Sequence, residues 1–255
     1  MRPRSMRWDK LFCQYGHFLT HLNFNCVKVT RWQLKEALIY TPNLQALSIN
    51  LINSFRGIEA TKLKNCDADK IIISPNLATL QIIEDCQIQL ADWILRLCAH
   101  QLVNLSITTQ NHQFLDYVFR RKFVKLKQLR IHFSHFCEIW HGVSHPESEY
   151  LSIDMLFYLC DDIHYKIYMD FIGQFSSTLV HLGLSWHAVS RGYFGYLKEK
   201  GILFPKIRSL TLRNHSYNVS WEGTQAKRDA EVLFPNVRDV KIVDVEYGYA
   251  PRNLI

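Results

Sequence analysis

Three short stretches carry residue types that could do chemistry. Between Phe133 and His145 stand Cys137, His141 and His145, spaced as Cys-x3-His-x3-His, with His132 and His135 close by. Thiolate and imidazole are the ligands zinc prefers. A finger-type site also needs a close cysteine pair upstream, and none is there, so the segment reads as an irregular loop with uncommitted histidines and no metal is expected. The second stretch, Cys160-Asp161-Asp162-x-His164, sets a thiol near an imidazole in sequence. Nucleophilic catalysis needs the two close in space, with a third group orienting the base. The third is basic: Arg120-Arg121-Lys122, followed by Lys125, Lys127 and Arg130. Such a run serves either as a solvated face or as an anion site. Neither a glycine-rich phosphate loop nor a Gly-x-Ser-x-Gly elbow occurs. The expectation is a protein that is not an enzyme and takes no cofactor.

The elements that would position such residues are set by a recurring phrase, apolar-x-x-apolar-x-apolar. It reads Leu19-x-x-Leu22-x-Phe24, Leu44-x-x-Leu47-x-Ile49, Leu77-x-x-Leu80-x-Ile82 and Leu102-x-x-Leu105-x-Ile107. Further on come Leu126-x-x-Leu129-x-Ile131, Leu179-x-x-Leu182-x-Leu184, Ile207-x-x-Leu210-x-Leu212 and Val237-x-x-Val240-x-Ile242. Most steps lie between 24 and 33 residues, but the step from Leu126 to Leu179 is 53, long enough to hold one degenerate copy. Leu151–Cys160 is expected to supply it. This phrase at this period is the mark of a leucine-rich-repeat solenoid of about eight to nine repeats, an α/β fold with a curved parallel sheet inside and helices outside.

Four copies share a start signal: Thr41-Pro42-Asn43-Leu44, Ser74-Pro75-Asn76-Leu77, Phe204-Pro205-Lys206-Ile207 and Phe234-Pro235-Asn236-Val237. Proline pushes the residue before it out of the helical region, so each signal should end a helix and begin a strand. Helical rhythm is read at Val29–Tyr40, Ala91–His100, His112–Lys122, Lys166–Phe175, Tyr193–Lys200 and Gln225–Leu233. Residues 1–255 are expected to form a single repeat domain, with irregular insertions near 53–73 and 133–150.

Side chains alternate across a strand, so the third, fifth and seventh residues of each phrase should line the concave face. Asn23, Ser48, Gln81 and Ser106 make that face polar and uncharged in the first half. In the second half it turns basic, with Arg130, His132, His181, Arg213 and Lys241 and, at the flanking second positions, Arg208 and Arg238. Guanidinium forks suit carboxylate and phosphate acceptors. Trp140 and Trp186 stand near as candidate aromatic anchors.

Composition narrows the class. The chain of 255 residues is 48% hydrophobic and carries a formal charge of +7, with a pI near 9.0. An acidic or phosphorylated partner suits that excess, whereas nucleic acid would call for a denser basic run. Met1–Lys10 has no signal-peptide core, no apolar run is long enough to span a bilayer, and the seven cysteines lack a paired framework. The expectation is a cytoplasmic or nuclear protein without membrane insertion.

With the phrase, its Pro-Asn-Leu-x-x-Leu starts and Leu19-Thr-His-Leu22-Asn-Phe24-Asn-Cys26 in view, the chain resembles the leucine-rich-repeat region of F-box proteins. Tyr15-Gly-His-Phe-Leu19-Thr-His-Leu22 and its echo Gln174-Phe-Ser-Ser-Thr-Leu179-Val-His181-Leu182 resemble insect members in particular. The resemblance implies a solenoid that captures a protein substrate for a cullin-RING ubiquitin ligase. An F-box would precede the repeats, but Trp8 and Leu11 already read as part of the first one. The chain is thus expected to be a fragment or a repeat-only protein. Two other readings remain: a signalling or structural scaffold unrelated to ubiquitin, and a binder of nucleic acid or phosphoinositide through the basic half.

Overall fold

In a computed structural model, residues 8–24, 31–50, 73–84, 88–109, 114–115, 118, 121–133, 149–155, 162–185, 189, 192–214, 221 and 223–244 are described. Among them are nine strands and six α-helices. The chain divides into two compact units, Met1–Leu126 and Lys127–Ile255. The first holds α1 (Trp8–Tyr15), β1 (His21–Phe24), α2 (Arg31–Tyr40), β2 (Ala46–Asn50), β3 (Thr79–Glu84), α3 (Ile88–Cys98) and β4 (Asn104–Thr109). The second holds β5 (Gln128–Phe133), β6 (Tyr150–Met155), α4 (Asp162–Gly173), β7 (His181–Ser185), α5 (Tyr193–Glu199), β8 (Ser209–Asn214), α6 (Gln225–Leu233) and β9 (Asp239–Asp244).

Within each unit neighbouring strands pair in parallel, and like positions of the phrase stand opposite one another. Leu47 is level with Leu80, and Leu80 with Leu105. In the second unit Leu129, Leu151, Leu182, Leu210 and Val240 share one row. The fourth and sixth residues of the phrase are the interior in the inner copies, where Leu47, Ile49, Leu80, Ile82, Leu182, Leu184, Leu210 and Leu212 are all buried, whereas in the last copy Val240 and Ile242 are exposed. Helix residues such as Leu34, Leu38 and Ile94 in the first unit and Phe171 and Leu197 in the second are buried as well. The missing copy is β6, Tyr150–Met155, which overlaps the expected Leu151–Cys160 and starts one residue before it.

Each proline signal folds as a β-turn with proline at its second position, where its fixed φ is favourable. The closing bonds run from Leu44 N to Thr41 O (3.1 Å), Leu77 N to Ser74 O (3.2 Å), Ile207 N to Phe204 O (3.3 Å) and Val237 N to Phe234 O (3.0 Å). Side chains stitch a turn to the copy before it. Asn43 Nδ2 donates to His17 O at 2.7 Å, Ser74 Oγ to Pro42 O at 2.8 Å, and Asn236 Nδ2 to Pro205 O at 2.8 Å. Sequence-local turn chemistry therefore fixes the start of each strand.

Helix bounds differ modestly from the expectation. The third helix begins at Ile88 rather than Ala91, and the fourth spans Asp162–Gly173 rather than Lys166–Phe175. Most of the insertions near 53–73 and 133–150 lies outside the described residues, as do Cys26, Cys86, Cys137, His141, His145, Trp140, Cys160 and Trp186. No helix among the described residues is long and apolar enough to cross a membrane.

A tight approach joins the first two helices. A Cβ on Gly16 would lie 2.2 Å from the Tyr40 carbonyl oxygen, a backbone atom that ends α2. Gly16→Ala is expected to force the two segments apart and lower stability by about 1–3 kcal/mol, the range for overpacking. Urea unfolding measures it; an unchanged midpoint would show that the contact is not rigid.

Candidate functional site

The third, fifth and seventh positions do share one face in each unit. In the first unit Asn23, Ser48, Gln81 and Ser106 lie level on four adjacent strands. Ser48 Oγ donates to Gln81 Oε1 at 3.1 Å, and Asn104 Nδ2 to Thr79 Oγ1 at 3.0 Å. This surface satisfies itself with neutral hydrogen bonds.

The second unit is different. Its third positions run Gln128, Tyr150, His181, Ser209 and Asp239; its fifth run Arg130, Ser152, Gly183, Thr211 and Lys241. The exposed Arg130 guanidinium sits 5.2 Å from the centroid of the Tyr150 ring. That ring stacks on the His181 imidazole at 4.3 Å and only 5° from parallel. His181 Nδ1 lies 3.0 Å from Ser209 Oγ. Beyond it Lys241 Nζ pairs with Asp239 at 3.2 Å. Cation, phenol, imidazole and hydroxyl thus form a continuous ladder across β5, β6, β7 and β8. A cation over an aromatic face contributes about 0.5–1 kcal/mol at an exposed site.

Arg213 is the other anchor. From β8 its Nη2 donates to Ser152 Oγ on β6 at 2.6 Å, reaching past the strand between them. That strand carries Gly183 level with Ser152. A Cβ on Gly183 would stand 3.1 Å from Ser152 Oγ, so a side chain there would crowd the hydroxyl that Arg213 uses. Arg213 Nη1 and Ser185 Oγ, from paired positions on β8 and β7, are both buried with no hydrogen-bond partner among the described residues. Each buried donor left so costs about 1–3 kcal/mol. Among the described side chains the acid on this face is Asp239, already paired with Lys241.

His181 feels this setting. Burial is the first cause that lowers its pKa below the usual histidine value; the charges of Arg213, Arg130 and Lys241 lower it further, against an opposing effect of Asp239. The imidazole is therefore neutral at pH 7. Between its native pKa and the ordinary 6.5, the unfolded chain binds more protons than the native one, so stability rises with pH there. The contribution is complete above about 6.5 and is lost as pH falls through the native value. His181→Gln should therefore flatten part of the stability loss between pH 7 and pH 5. Urea midpoints at pH 7, 6 and 5 test this; identical slopes in both proteins would contradict it.

The remaining candidates fall elsewhere. Arg208 and Arg238 lie off this face, at the starts of β8 and β9, where they line a groove with Lys206. Arg121, from the densest basic run, pairs with the buried carboxylate of Asp92, which also takes Arg96 at 2.8 Å. That run is therefore not simply a free solvated face. The buried Cys98 donates to Ile94 O at 3.2 Å, and burial pushes its thiol up to about 12. It stays protonated and plays a packing part. Sequence reasoning missed Tyr150, Ser152 and Lys206; the first two lie in the copy whose phrase is degenerate.

No protein-family model matches this sequence, and no curated protein matches it.

Proposed function

We propose that the chain is a non-enzymatic protein-interaction scaffold, a leucine-rich-repeat solenoid whose second unit captures an acidic or phosphorylated protein partner on its open sheet face. The resemblance of its repeats extends the proposal to the substrate-recognition part of an F-box-type ubiquitin ligase receptor in cytoplasm or nucleus. The Arg130–Tyr150–His181 ladder is the observation that supports capture. Tyrosine and arginine are the residues that most often dominate binding interfaces, because each offers a large planar contact with a polar end. A stacked ladder is already ordered, so little side-chain freedom is lost on binding. Arg213 adds a half-buried guanidinium whose Nη2 is held by Ser152 Oγ.

The experiment has two stages. Proximity labelling nominates a partner, and the purified partner is then titrated against the wild type and the Arg130→Glu, Arg213→Glu double variant. Binding unchanged by the double variant would remove this face from the proposal. Co-purification of the full gene product with a cullin adaptor tests the ligase part; its failure leaves the scaffold without that role.

A further inference from the structure

The groove at the starts of β7, β8 and β9 lies off the open face and makes a second site. It has a volume of about 390 Å³ and is lined by Val180, Pro205, Lys206, Arg208, Asn236 and Arg238, three cations and no acid. Arg208 N donates to Val180 O at 2.8 Å and Arg238 N to Arg208 O at 2.9 Å, so the three residues are successive rungs of one ladder. Rungs on neighbouring strands stand roughly 4.8 Å apart. Side chains of like charge that start from neighbouring rungs repel.

The same row shows how the fold handles charge elsewhere. Two rungs earlier Glu149 N donates to Lys127 O, and their side chains form an ion pair at 3.7 Å. There the neighbouring rungs carry opposite signs. At Arg208 and Arg238 they carry the same sign, and Lys206 adds a third. None of the three has an ion-pair partner among the described residues.

The frame beneath them is tied by hydrogen bonds. Lys206 occupies the third position of the Phe204–Ile207 turn, and Asn236 the same position of the Phe234–Val237 turn. The Asn236 amide ties the second turn to the first through Pro205 O. Lys206 therefore sits on one of two interlocked turns, and Arg208 and Arg238 each follow one of them directly, so the cost of assembling the cations is met during folding. A groove of this volume is in the size range of small-molecule sites.

We infer that this groove binds a small anion carrying adjacent phosphate groups, with Arg208 and Arg238 gripping phosphate oxygens through their guanidinium forks and Lys206 supplying a point charge. Arginine suits phosphate because two parallel N–H donors match two oxygens. Such a ligand comes either free in solution or as the headgroup of a phosphorylated lipid; the recognition chemistry is the same.

The test uses tripolyphosphate as probe in isothermal titration with the whole chain, together with vesicles of phosphatidylcholine containing phosphatidylinositol bisphosphate. The expected result is one-to-one binding that weakens about tenfold or more in Arg208→Gln and again in Arg238→Gln, as for loss of a hydrogen bond to a charged group. Affinity should also fall with rising salt, while Lys10→Gln, at an exposed cation of the first unit, leaves it unchanged. Binding of tripolyphosphate assigns a soluble ligand; binding of vesicles alone, lost in both variants, assigns the lipid headgroup. Failure of both probes overturns the inference. So does equal weakening by Lys10→Gln, which would mean diffuse attraction to a basic protein. Thermal melting of the Gln variants checks that each is folded, since all three positions are at least partly exposed.

Discussion

Reversing Arg130 and Arg213 together is expected to weaken capture of an acidic partner by about a hundredfold or more, some 2.7 kcal/mol. Each site contributes differently. Arg130 is exposed and rests on the Tyr150 ring, so a glutamate there removes the cation and places a negative charge where the partner is negative. Like charges brought face to face at an interface cost several kcal/mol. At position 213 the glutamate also removes the donor to Ser152. The fold should survive: the buried Ser152 hydroxyl loses its donor, at about 1–3 kcal/mol, but a buried nitrogen without a partner among the described residues goes with it and offsets part of that cost. A urea midpoint close to that of wild type, with binding reduced, is the expected pair of results. Arg213→Gln separates charge from shape, since it keeps a hydrogen-bonding side chain but lacks the charge. It should lose less affinity than Arg213→Glu and respond less to salt. If the double variant binds its partner as tightly as wild type, the ladder is a structural feature and capture occurs elsewhere.

The sheet was legible in the sequence because it rests on a local rule repeated many times. Leucine at the fourth position and an aliphatic residue at the sixth alternate with polar neighbours, and alternation leaves one way to bury the apolar set. The register bears this out: Leu47, Leu80 and Leu105 are level, and so are Leu182 and Leu210. The proline signals were legible for the same reason, since a turn is decided by four consecutive residues. Where the phrase lost its first member the reading blurred. Three residues before Leu151 stands Ser148 instead of leucine, so β6 was placed only roughly and its face positions Tyr150 and Ser152 went unread.

The candidate site was legible as a set of positions but not as a set of contacts. His181 and Arg130 were read on the same face, yet the ring between them belongs to the degenerate copy. Arg213 and Ser152 are 61 residues apart, and the arginine crosses a whole strand to reach the hydroxyl. Arg121 and Asp92 are 29 apart and meet in the first unit. Charge counted along the chain could not tell that one arginine of a basic run is spent on a buried aspartate. Nor could it tell that Arg208 and Arg238, read together with the open-face residues, line a separate groove with Lys206. Pairing in space is set by strand order and side-chain length, and neither is written in a local window.

Phe234→Ala should give the largest loss of stability, about 3–5 kcal/mol, the range for deleting a buried aromatic ring. Phe234 is 1% exposed. Its ring meets Phe194 edge-on at 5.3 Å and 79°, and Phe204 at 5.3 Å and 48°. These three rings come from α5 and from two of the proline turns, so one side chain joins a helix to the starts of two strands. The backbone of Phe234 is committed as well: its N–H bonds Ala230 O at 2.8 Å and its carbonyl closes the Val237 turn. Truncation leaves a ring-sized void between elements that the backbone holds in place, so collapse cannot recover much of the lost contact. Against a typical total of about 5–15 kcal/mol, that is a large fraction. Phe234→Leu keeps most of the volume and should cost appreciably less, which keeps the comparison measurable if the alanine variant fails to fold. Urea unfolding of both checks the ranking. A loss under about 1 kcal/mol for Phe234→Ala would mean that the three rings are not packed as a unit. The same loss should loosen the two turns that carry Lys206 and Asn236, because Phe204 and Phe234 are the first residues of those turns.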